Sequence, residues 1–227
     1  MLAASAAQVM DSWYTRTCTR CARGFSSGKE ASVSKNYQSG DLWSRATTAN
    51  GFAVDELRSV LQKSIRRGRI EEAAVAAYEL FANGPETEEL LWRRLEMIAA
   101  EDVGFGLLNA PILIEALSAQ ARRMADAGDR WIYCAHAVRI LASAPKDSMS
   151  MELAGWTRAV VERGERKPVV EDDMVDLHTR RGAAMGRDAA HWWTHGARLH
   201  NRIPGYDPTW GDYLRQLAGA EPHRTDR

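Results

Sequence analysis

The chain has 227 residues, 45% hydrophobic and 26% charged, the balance of an ordinary soluble globular protein. Thirty basic and thirty acidic residues cancel, so overall charge gives no pull toward nucleic acid or anionic membrane, and any such contact must come from a local patch. Three cysteines with no secretion signal exclude a disulfide scaffold and place the chain in a reducing cytoplasm, and no window approaches the roughly 18 uninterrupted apolar residues of a membrane helix.

Residues 1–50 are rich in Ser, Thr, Ala and Gly and poor in large aliphatics. They are expected to form a poorly ordered arm, because so little apolar surface cannot offset the entropy of ordering. Cys18 and Cys21 have the spacing of half a zinc site, with no second pair to complete it. Gly24, Gly28 and Lys29 fall one residue short of a phosphate loop, and Glu30 stands where its Ser or Thr belongs.

A helix is expected from Ala53. Val54, Leu57, Leu61 and Ile65, with Val60 beside them, recur at helical spacing, and Gly68 is a natural stop. Asp55 and Glu56 in its first turn, and Arg58, Lys63, Arg66, Arg67 and Arg69 toward its end, match the helix dipole. A second helix, Ile70–Ala82, offers Ala73, Ala74, Ala77, Tyr78, Leu80 and Phe81 as a close-packing face. A third runs from Glu86 to about Asp102 on a Leu91, Leu95, Ile98 stripe. Glu101 and Asp102 oppose the dipole at its C-terminal end, so a basic partner is expected, and the first helix supplies candidates.

Pro111 marks the start of a fourth helix carrying Ile114, Leu117 and Ala121. A fifth, Arg130–Ala144, is expected to turn Ile132, Ala135, Val138 and Leu141 or Ala142 inward, and a sixth, capped by Ser148 or Ser150, carries Leu153, Trp156 and Val160. Beyond Gly164 and Pro168 come a short helix over Glu171–Arg181, a Trp-rich segment over Asp188–Asn201, and a last helix after Asp207-Pro208 with Trp210, Tyr213, Leu214 and Leu217. The C-terminal aromatic load fits either a core or an interface. With no alternating strand of useful length the fold class is all-α: an arm (1–50), a multi-helix domain (51–218) and a polar tail (219–227).

The order Lys63-Ser64, then Ala99-Ala100-Glu101-Asp102-Val103-Gly104, then Leu141-Ala142-Ser143-Ala144-Pro145-Lys146 resembles the C-terminal region of the replication-associated recombination protein A (RarA/MgsA) family of ATPases. The resemblance spans about 53–190, while 187–218 departs from it. It implies a clamp-loader-collar-like oligomerisation domain at sites of DNA replication or recombination, acting as a homo-oligomer or with a replication or recombination partner. No nucleotide-binding domain is present in the sequence, so the family's ATPase activity does not carry over and no cofactor is implied.

The residues themselves offer three kinds of chemistry. DNA-backbone contact is open to Arg58, Lys63, Arg66, Arg67 and Arg69, and to Arg180, Arg181 and Arg187 around a glycine break. Each set also has a plain reading as positive charge at a helix C-terminus. His191 and His195 stand one helical turn apart, the spacing of two metal ligands or of a stacked His/Trp surface. The acids Glu171, Asp172, Asp173 and Asp176 beside His178 would suit a metal-dependent nuclease or hydrolase, and equally an acidic first helical turn. Glu101 and Asp102 read as a structural counter-charge rather than a catalytic pair.

Overall fold

A computed structural model describes residues 41–220, and over that range the protein is all-helical. The only β-type pairing among the described residues is an isolated antiparallel bridge between Thr47 and Ala53. No described helix is long and apolar enough to cross a membrane. The Cys18/Cys21 pair and the Gly24–Lys29 run lie outside the described residues. The chain divides into two compact units, one up to Glu165 and one from Arg166.

The first unit begins earlier than residue 51. Asp41 opens a short 3-10 turn, Leu42–Arg45, by accepting a hydrogen bond from the Trp43 amide at 3.1 Å. The same carboxylate holds Arg58 at 2.7 Å, and Trp43 and Ala46 pack against the core. Residues 41–50 are therefore docked rather than part of a loose arm. Two groups serve this, one charge pair and one aromatic ring, which a composition count does not register.

Helix α1 (Val54–Arg66) buries Val54, Leu57, Leu61 and Ile65, the expected stripe, while Val60 faces solvent. Helix α2 (Ile70–Ala82) buries Ala73, Ala76, Ala77, Leu80 and Phe81. Three alanines on that face let it approach α1 closely. Helix α3 (Pro85–Ile98) starts with proline at its first position, where the missing N–H costs nothing, and buries Leu91, Trp92, Leu95 and Ile98.

The expected run of α3 to Asp102 changes character at Ala99. Ala99–Val103 is a π-helical turn, closed by a bond from the Gly104 amide to the Ala99 carbonyl. The extra residue in the turn brings Ala99, Asp102 and Val103 all inside. Gly104 then takes φ 48°, ψ −126°, a conformation that glycine alone adopts cheaply. A side chain at Gly104 or Gly106 would collide with the backbone of Asp147 or Pro145. The two glycines let the end of α3 and the segment after the fifth helix pass backbone to backbone.

Helix α4 (Ala110–Ala121) buries Ala110, Ile114, Ser118 and Ala121. Helix α5 (Ala127–Ser143) begins three residues before the expected Arg130, capped by Asp126, whose carboxylate accepts from the Asp129 amide at 3.1 Å. Its inward residues are Cys134, Ala137, Val138, Leu141 and Ala142, and Ile132 is exposed. The helix is turned this way because Trp131 sits edge-on to Tyr78 at 4.8 Å and against Phe81 at 5.4 Å. Burial pushes the Cys134 thiol far above its ordinary range, so it is a small core side chain and not a nucleophile. Helix α6 (Met149–Glu162) buries Val160 alone, leaving Leu153 and Trp156 exposed.

The second unit has no single helix over 171–181. It has a 3-10 turn at Asp172–Met174, then α7 (Arg180–Ala184), capped by the Thr179 hydroxyl. Between them Thr179 and Asp176 satisfy local backbone groups, a competing use of polar side chains that interrupts helices. Helix α8 (Ala189–His191) runs directly into a π-helical turn at Trp192–Gly196, and α9 (Thr209–Ala218) closes the unit.

The first unit's stability rests on the α1–α3 stripe. Leu61→Ala or Leu95→Ala, each removing a fully buried side chain, is expected to cost about 2–5 kcal/mol in urea unfolding. Val60→Ala should stay within about 0.5 kcal/mol.

Candidate functional site

Three of the sequence motifs meet in one charge cluster. Gln62 and Arg66, one turn apart on α1, both face the π-turn. Arg66 Nε donates to Asp102 Oδ1 at 2.5 Å, and Gln62 Nε2 donates to Asp102 Oδ2 at 2.9 Å. Arg94 of α3 donates to Gln62 Oε1 at 3.2 Å, and Arg66 Nη2 also lies 3.6 Å from Glu101. The Asp102 carbonyl accepts from the Asp147 amide at 2.9 Å, tying the segment after α5 to the same point.

That segment carries its own polar work. Lys146 Nζ donates to the carbonyls of Ala142 and Ala144, closing the C-terminus of α5. Burial lowers its pKa, partly countered by the nearby Asp102 charge. The Asp147 carboxylate accepts from two amides, Phe105 and Met149, both at 3.0 Å, so it caps α6 and holds the Gly104–Leu107 turn with one group. Those two backbone bonds pull its pKa below the usual carboxylate range.

Asp102 is 2% exposed and each of its oxygens already accepts a side-chain bond, so it is walled off from solvent. The cluster is a fastening, and the positive charge of α1 is partly spent in it. Arg58 is likewise bound by Asp41. Lys63, Arg67 and Arg69 are exposed and have no acidic partner among the described residues.

In the second unit Arg187 is spent too, its guanidinium donating to the carbonyls of Asp172 and Val175 and to the Asp172 carboxylate. That contact lowers the Asp172 pKa. Arg180 and Arg181 are exposed; Arg180 opens α7, and Arg181 falls in the last turn of this five-residue helix. The Asp176 carboxylate is occupied by the His178 amide and ring. His191 and His195 lie with ring centroids 4.8 Å apart and planes tilted by 44°, and His191 Nδ1 is buried without a partner. Among the described residues no group of three or more His, Cys, Asp or Glu is placed to hold a metal ion.

Gln62, Arg94 and Asp147 belong to the cluster but carry no motif of their own. Gln62 was within reach of pattern reading, one turn from Arg66 on the same face. Asp147 was not, since its role depends on two amides 42 and 2 residues away.

Removing Arg66 leaves a buried carboxylate with Gln62 as its one remaining side-chain donor, whereas Asp102→Asn leaves a neutral amide beside a half-exposed guanidinium. Arg66→Ala should therefore destabilise by about 2–4 kcal/mol and Asp102→Asn by less, measured by chemical denaturation at pH 7. Asp147 has a depressed folded pKa, so its contribution is present above the unfolded value near 4 and is lost as pH falls through the folded value. Asp147→Asn should flatten stability against pH in that acid window; an unchanged acid limb would contradict this.

Compared with known protein families and with curated proteins, the chain matches none.

Proposed function

We propose that the chain is a non-enzymatic helical oligomerisation and interaction module serving DNA replication or recombination in the cytoplasm, with a small basic face for the DNA backbone. One observation carries the reading: chemistry-bearing side chains are used up inside the fold, while large apolar ones are left facing solvent. Asp102, Asp147, Asp172, Asp176, Arg58, Arg66 and Arg187 all serve internal contacts.

Phe105 is 78% exposed, and Leu108, Ile112, Met149 and Leu153 are exposed with it. Phe105 and Met149 are neighbours, since their amides share the Asp147 carboxylate. Leu108 follows Phe105, and Leu153 follows Met149, at helical spacing. Exposed apolar side chains grouped in this way mark a protein-binding face. The link to replication or recombination rests on the resemblance carried by the three motifs in their order along the chain. A metal-dependent hydrolase draws less support, because Asp172 and Asp176 are held by Arg187 and His178.

For DNA, Lys63, Arg67 and Arg69 at the C-terminal end of α1 are the available set in the first unit. A contact through three such charges gives log K against log salt a slope of about −2 to −3. Reversing all three to Glu should abolish duplex binding in fluorescence anisotropy without lowering the melting temperature, and binding that survives the reversal removes the DNA face. For the protein face, Phe105→Glu with Leu153→Glu should eliminate in-cell cross-links to replication or recombination proteins. Cross-links that are unchanged, or that never include such proteins, would overturn the reading.

A further inference from the structure

The C-terminal helix is turned inside out. In α9, Trp210, Tyr213, Leu214 and Leu217 recur at i, i+3, i+4 and i+7 and form one apolar face. Such a face ordinarily packs inward. Here these side chains are 85%, 61%, 45% and 67% exposed, and the one buried residue of the helix is Arg215, on the opposite face. Arg215 lies over the Trp193 ring at 5.3 Å and donates to the Trp193 carbonyl, which fixes the helix with its charge in and its apolar face out.

Both ends of the helix are finished. The Asp207 carboxylate accepts from the Thr209 amide at 2.9 Å, and Gly219 ends the helix at φ 70°. The outward face is thus a formed surface rather than a frayed end.

Building on the assembly reading, we infer that this face pairs two copies of the chain, α9 against α9, antiparallel about a two-fold axis. Its four residues are uncharged and the chain has no net charge, so two copies meet without like-charge repulsion. The antiparallel order sets the bulky Trp210 of one copy against the smaller Leu217 of the other, with Tyr213 and Leu214 near the axis. Two aromatic and two aliphatic side chains present roughly 500 Å² per copy, and about 1,000 Å² for a pair meets the lower bound of a specific interface. The polar residues that α9 leaves outward are Thr209, Asp212 and Gln216, with no Lys or Arg among them, which disfavours an anionic membrane as the occupant.

Sedimentation velocity on the full chain, from roughly 1 to 300 µM, tests this. The weight-average mass should rise from 25.3 kDa toward twice that value. Trp210→Lys alone and Leu217→Glu alone should each weaken association about tenfold or more. An equimolar mixture of the two variants should recover it, because the ammonium introduced in one copy then faces the carboxylate introduced in the other. Circular dichroism identical to the unsubstituted chain keeps misfolding out of the comparison. A monomer at every concentration, single variants that still dimerise, or a mixture that stays monomeric would each overturn the pairing. If the chain is monomeric yet the Phe105 face still captures its partner, the dimer falls and the assembly reading stands; if that capture fails as well, both fall.

Discussion

The first unit hangs on a single buried carboxylate. Asp102 receives Arg66 and Gln62 from α1 through its side chain and Asp147 through its carbonyl, so one residue joins α1, the end of α3 and the segment after α5. It can do so because the π-turn adds a residue where an α-helix would have turned the carboxylate elsewhere. The geometry also sets the register of α1: donors one turn apart meet the two oxygens of one group, and a shift of α1 by a residue would break both bonds. A buried ion pair is weak support for stability as such. Its effect here is to select one packing of α1 on α3 among the several that a stripe of leucines would accept.

Several short runs of the first unit acquire a physical meaning in this light. The basic helix ending in Arg66, the Glu101-Asp102-Val103-Gly104 run and the Pro145-Lys146 run are the parts that meet around Asp102. Gly104 is needed because the Asp147 backbone leaves no room for a side chain there, and Lys146 closes the end of α5. These residues therefore serve as scaffold. A chain can keep these residues to hold its helices and put its working surface elsewhere.

How much of this was legible in the sequence depended on how strongly each residue's role was local. The stripes of α1 and α3 could be read because large aliphatics recur there against a polar background, whatever lies opposite. In α5 the background is itself alanine-rich, so Ile132 and Cys134 compete for the inward position, and the choice falls to Trp131 contacting Tyr78 and Phe81 from α2. The pairing of Arg58 with Asp41 spans 17 residues and was invisible to any periodic argument, as was the double capping by Asp147. The π-turn left no mark beyond Gly104, which also suits an ordinary helix end.

Periodicity also identifies an apolar face without saying which way it points. The stripes on α6 and α9 are as regular as that of α1, yet Leu153, Trp156, Trp210 and Tyr213 stay in solvent. For α9 the direction is decided by Arg215, whose guanidinium has a carbonyl and an indole ring to receive it, an outcome no hydrophobicity scale would favour. The consequence for the second unit is energetic. Val175 is its only buried large aliphatic side chain among the described residues, and the rest of its interior is the Trp192–Trp193 pair and local hydrogen bonds. So small an apolar interior supplies little driving force for folding. Anything that covers α9 would add its binding free energy to the folded form alone, so association there would add stability to a unit that has little apolar interior of its own.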